Sequence, residues 1–164
     1  MTDMSDDESG ELRVPTLALD AEALCADGRR FRGRVFLPPN AQAHDGPMRA
    51  EEWMNEHAAF FPFLPEGEAR PVLMNKRELL VLTVPAEADE GEIPEGTESP
   101  TRRVAVEAER ERLEGEIVID MPHNQARVLD YVNRPGAFLT LRDGKRHHLV
   151  QKERITRIVE SGDR

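Results

Sequence analysis

The residues of this chain best suited to moving protons or holding a metal are five histidines, His44, His57, His123, His147 and His148. Their spacing argues against both roles. His147 and His148 are neighbours in a strand-like run and would point to opposite faces, and no Asp or Glu stands at a zincin-like distance from any of the five. His123 lies close to Asp120, a pairing that polar loops commonly produce. The sequence has no P-loop, no dinucleotide-binding GxGxxG and no serine-nucleophile motif. The expectation is a protein that is not an enzyme, without catalytic residues, metal ligands or cofactor. The single cysteine, Cys25, cannot form an internal disulfide and reads as a buried thiol.

Anion recognition is the next chemistry to weigh. Arg102, Arg103, Arg110 and Arg112, with Lys145, could hold the phosphates of a nucleotide or of RNA if the fold gathered them on one face. Residues 101–160 carry ten acids against twelve Lys and Arg, so a strongly positive field is not expected.

The sharpest local pattern occurs twice. Arg127, Asp130, Tyr131, Asn133 and Phe138 repeat, position for position, Arg49, Glu52, Trp53, Asn55 and Phe60. Arg and acid three apart on a helix can pair, the aromatic ring packs inward, and Asn ends the helix before an aromatic-led strand. Arg49, Glu52, Trp53, Arg127, Asp130 and Tyr131 are therefore the candidate interaction residues.

These motifs need elements to place them. Leu24, Phe31, Val35 and Leu37 flank Asp27-Gly28, a hairpin signal. A helix is expected over Met48–His57, and a strand or hairpin pair over Val72–Val84 with a bend at Asn75-Lys76. In the second half Val104, Val106, Leu113, Ile117 and Ile119 match Glu22, Leu24, Phe31, Val35 and Leu37 at an offset of 82, and Gly115 matches Gly33. The EAERER run between them has no turn glycine, but its β-branched flanks favour a hairpin over a helix. A helix around Ala126–Asn133 follows, then a strand from Phe138, a turn at Asp143-Gly144 and a returning strand through HHLVQKERITRIVE. Lys152 matches Lys76.

The expected fold class is α+β, mostly β. It comprises two pseudo-symmetric copies of a small hairpin–helix–three-strand unit, in barrel-like or rolled sheets whose helix and sheet faces pack together. The expected segments are an acidic tail (1–11), a first repeat (12–84), an acidic Pro/Gly linker (85–101), a second repeat (102–160) and a short tail (161–164).

The formal net charge of −10 resides in two of these segments: residues 1–11 carry five acids, residues 86–100 carry six, and neither has a base. The rest of the chain holds 21 acids against 22 Lys and Arg. Tail and linker are expected to be disordered, with docking to a basic partner as the alternative. No apolar run reaches the length needed to span a bilayer and the N-terminus is acidic, so a cytoplasmic protein without membrane insertion is expected.

The repeated RxxDYxN, the Phe-led strand and the closing xVxK-x-x-I pattern resemble small β-rich bacterial domains of unknown function that occur as tandem copies. That resemblance implies no activity. Arg102 and Arg103, in the TRR run, are also similar to the opening of cyclic-dinucleotide-binding PilZ domains, whose Asp/Asn-x-Ser-x-x-Gly motif is absent here. The leading expectation is an interaction or scaffold module that binds a protein partner or another copy of itself. A sensor of an anionic nucleotide is second, and an RNA-binding Sm-like module third, with nucleic acid not the expected partner.

Overall fold

The computed structural model describes residues 17–38, 48–86, 99–120 and 127–161. The acidic N-terminal tail, most of the acidic linker and the loop holding His123 lie outside the described residues, as does His44. Among the described residues the fold is mostly β, with two short helices, as expected. Its strands are β1 (Leu17–Cys25), β2 (Arg30–Leu37), β3 (Phe60–Pro65), β4 (Val72–Asn75), β5 (Leu79–Pro85), β6 (Thr101–Ala108), β7 (Glu111–Val118), β8 (Phe138–Asp143), β9 (Arg146–Gln151) and β10 (Ile155–Glu160). Helix α1 (Ala50–Met54) precedes β3, and α2 (Val128–Val132) precedes β8. All ten strands form one antiparallel sheet in the order β10-β6-β7-β8-β9-β5-β1-β2-β3-β4.

The order of elements in residues 17–85 recurs in residues 101–160. So does the register. β1 pairs β5 with Ala23 opposite Leu82, and β6 pairs β10 with Val106 opposite Ile158. Each ladder then shifts by one residue, before Cys25–Leu79 in the first and before Ala108–Ile155 in the second. Phe60 faces Asn75 as Phe138 faces Gln151.

Close approach of backbones explains the matched glycines. A Cβ on Gly33 would lie 2.0 Å from the Leu64 carbonyl oxygen, and one on Gly115 would lie 2.4 Å from that of Arg142. The first hairpin turns through Gly28 at φ 92°, while the glycine-free second turn places Glu109 at φ 53°. The hairpin preference in EAERER therefore holds, with a non-glycine residue in the left-handed region.

Four expectations are corrected. Opposite Gly33 stands Ala21, and opposite Gly115 stands Val104. Val104 thus corresponds to Ala21 rather than Glu22, because the two hairpin turns differ in length. Helix α1 covers Ala50–Met54 instead of Met48–His57, since Asn55 caps it and the chain turns at once into β3. β4 and β5 do not pair with each other. A 3₁₀ turn at Lys76–Glu78, with the Asn75 side chain accepting from the Arg77 amide at 3.0 Å, redirects the chain so that β5 lies beside β1. Lys152–Arg154 likewise breaks the returning run into β9 and β10.

The two halves join edge to edge, β5 against β9, rather than face to face. Two apolar clusters result, and each borrows from the other half. Phe138 and Leu149 enter the cluster built on Val35, Leu37, Met54 and Phe63. Leu24, Leu80 and Val81 enter the one built on Val106, Ile117, Ile119 and Leu141. Burying these side chains, each contributing roughly 1.5–3 kcal/mol, gives the joint an apolar core.

Candidate interaction surface

The helix motif divides into inward and outward residues. Trp53 is buried edge-on against Phe61, ring centroids 5.4 Å apart, and Tyr131 is buried in the second cluster. Neither ring is exposed on the surface of the isolated chain. Arg127 holds Asp130 through two hydrogen bonds of 2.9 and 3.1 Å, and its guanidinium keeps that carboxyl below the usual range. Arg49 and Glu52 form the looser equivalent at 4.0 Å. Exposed pairs of this kind contribute little to stability.

Both helices are one turn long and lean on a lysine. Lys76 Nζ donates to the Trp53 and Glu56 carbonyls at 3.4 and 3.2 Å, and Lys152 Nζ donates to the Arg134 carbonyl at 2.7 Å. Each ammonium satisfies carbonyls at a helix C-terminus, where positive charge is favourable. Desolvation lowers the pKa of both.

A polar network spans the joint between the halves. Asn55 Nδ2 donates to the Phe138 carbonyl at 3.3 Å while the Phe138 amide donates to Asn55 Oδ1 at 2.8 Å. Gly136 lies under that amide group, where a Cβ would come within 2.9 Å of it. Glu51, also on α1, accepts from Thr140 Oγ1 at 2.7 Å, from Tyr131 Oη at 3.4 Å and from Arg134. The Arg134 guanidinium sits 4.2 Å from the centre of the Tyr131 ring. Gln151 Nε2 donates to the carbonyls of Lys76 and Leu79, and Thr83 Oγ1 meets His148 Nδ1 at 2.8 Å. His147 and His148, successive residues of β9 that point to opposite faces of the sheet, are both buried.

The four arginines weighed for anion binding are dispersed. Arg102 and Arg103 open β6, Arg110 sits in the turn at its far end, and about eight strand residues at roughly 3.3 Å each separate them. Arg112 is engaged by Glu107 at 3.0 Å and Glu114 at 3.5 Å. A cleft of about 510 Å³ does bring Arg103 and Arg112 together with Arg30 and Arg146. Its walls also carry Glu22, Glu111, Glu114 and Asp143, so its charges balance. A larger cleft of about 680 Å³ mixes Arg32, Arg34 and Lys145 with Asp20, Glu66 and Glu68. Among the described residues no three His, Cys, Asp or Glu side chains are grouped to hold a metal ion, and no helix is long and apolar enough to cross a membrane.

Among the described residues, the sheet ends in two edges without a further strand, β4 and β10. Large apolar side chains are exposed on or beside β4, namely Leu73 (73%), Val72 (42%) and Phe60 (54%), and on β10, Val159 (41%); Leu129 (58%) is exposed on α2. Unpaired edge groups flanked by apolar side chains form a template for strand addition. Phe60 belongs to the repeated helix motif, but in the sequence the other four look like ordinary strand or helix hydrophobes. Only lining up the halves shows that apolar residues stand where the buried joint has its own contacts.

No protein-family model matches the chain, and neither a curated protein nor a solved structure resembles it closely enough to match.

Proposed function

We propose that the chain is a tandem pair of one small β-rich unit and serves as a non-enzymatic protein-interaction module that works by strand addition at the ends of its sheet. The observation that carries this reading is the exposure of large apolar side chains on the edge strands, Val72 and Leu73 on β4 and Val159 between Arg157 and Glu160 on β10. Soluble proteins usually blunt such edges with charge, proline or a covering loop. Matching ladders at fixed offsets support the tandem reading. Nucleotide sensing and RNA binding are less well supported by a dispersed arginine set and charge-balanced clefts.

Capture from a native lysate tests the interaction role, comparing the intact chain with a Leu73→Lys variant, which places a charge on the β4 edge. Partners retained by the intact chain and lost by the variant are expected. Equal capture by both would refute the edge as the interacting surface.

A further inference from the structure

We infer that the partner of each free edge is the opposite edge of a second copy of this chain, giving a head-to-tail assembly in which β10 of one copy pairs β4 of the next. This rests on the reading of the edges as the interacting surface, and it names what they bind.

The joint inside the chain is heterologous: the last strand of the first half, β5, meets the fourth strand of the second half, β9. The corresponding strands, β10 and β4, are the two that have a neighbour on one side only among the described residues. Inside the chain Val81 faces Val150, Leu82 faces Leu149 and Thr83 faces His148. Carried across the constant offset of 76, the same register between copies sets Arg157 against Met74, Ile158 against Leu73 and Val159 against Val72. The two most exposed valines on the edges thus become neighbours where the internal joint has its Thr83–His148 hydrogen bond.

The helix contact transforms in the same way. Glu51 on Thr140 becomes Leu129 on Pro62, an apolar pair in place of a polar one. Asn55 on the Phe138 backbone becomes Asn133 on the Phe60 backbone, and Asn133 is exposed. Phe138 and Leu149 are the second-half residues that enter the first cluster, and their counterparts are Phe60 and Leu73. An edge side chain such as Leu73 gains contact at this joint and has little within the isolated chain.

Two substitutions make the joint between copies weaker than the one inside. Ala58 replaces Gly136, so the asparagine cannot approach as closely. Leu24, Leu80 and Val81 are replaced by Glu107, Thr156 and Arg157, where Glu107 and Arg157 pair with each other. A heterologous contact of this kind closes into a ring when its rotation permits and extends into a filament otherwise.

The test uses the full chain. Sedimentation velocity over a wide concentration range is expected to show reversible association, and Leu73→Lys, a change at an exposed side chain, is expected to weaken it about tenfold or more with an unchanged unfolding temperature. Two single variants, Val72→Cys and Val159→Cys, are then oxidised alone and mixed, both in a Cys25→Ala background. Disulfide-linked dimers forming in the mixture and in neither variant alone would establish the head-to-tail contact. A chain that is monomeric at every concentration overturns the inference, as does Val72→Cys linking to itself, or association indifferent to Leu73→Lys. Should the monomer still lose captured partners on Leu73→Lys, this inference fails while the edge reading stands.

Discussion

Asn55 grips both main-chain groups of Phe138, 83 residues away, accepting from its amide at 2.8 Å and donating to its carbonyl at 3.3 Å. A side-chain amide here does the work of a paired strand, and it fastens the end of α1 to the start of β8. Asn55→Ala would strip a partner from both groups at a partly buried site, at a cost of about 1–3 kcal/mol. Denaturant unfolding should register that loss. Asn133→Ala, at the exposed counterpart, should change the stability of the isolated chain by less than about 0.5 kcal/mol.

Gly33 and Gly115 should tolerate no side chain. The carbonyls of Leu64 and Arg142 occupy the Cβ positions, and backbone in a paired ladder cannot move aside cheaply. Gly33→Ala and Gly115→Ala are each expected to cost about 2–4 kcal/mol through strain and broken pairing of β2 with β3 or β7 with β8. Thermal unfolding is the readout. A shift of the unfolding temperature within error for either variant would contradict the close approach.

The sequence announces its elements through local chemistry and conceals its joint. Asp27-Gly28, the alternating Val35 and Leu37, and the paired Asn55 and Asn133 each act over a few residues, so they can be read directly. The bend at Asn75-Lys76 is legible in the same way, whereas the 3₁₀ turn at Lys152–Arg154 interrupts a run that otherwise looks continuous, and the lysines of both turns act on helix ends about 20 residues earlier. Trp53 and Tyr131 draw attention as candidate contact residues, yet both are core. Periodicity identifies an inward face without saying which partner covers it. The interacting edges become visible only from strand order, since Val159 and Thr83 occupy the same place in their ladders and differ only in whether a neighbour is present.

Tyr131 is the only tyrosine of the chain, so its ionisation can be followed by absorbance without assignment. Burial, reinforced by the Glu51 carboxylate, pushes its hydroxyl up to about 12 from an ordinary value of 10.0. A raised folded-state value means that this group's contribution is complete below pH 10 and is lost as pH rises toward 12. Alkaline titration should show phenolate appearing near pH 12 together with loss of tertiary structure, and Tyr131→Phe should flatten the stability profile between pH 10 and 12.

His148 should make the joint sensitive to acid. Burial is the main cause lowering its pKa below 6.5, with Arg146 and His147 acting in the same direction and Asp143, 3.6 Å from Nε2, opposing them. The ring is therefore neutral at pH 7 and shares a hydrogen bond with Thr83 across the β5–β9 ladder. Because the folded value is depressed, the stability associated with the neutral ring is present above pH 6.5 and declines as pH falls through the folded value. Ring resonances of His148 should titrate with a midpoint under 6.5, and amides of β5 and β9 should exchange faster at pH 5 than expected from intrinsic rates alone. In a Thr83→Val/His148→Val variant the joint takes the apolar pair found at the free edges, and that acid-induced opening should disappear. A midpoint above 6.5 would instead mean that Asp143 dominates and that acid tightens the joint.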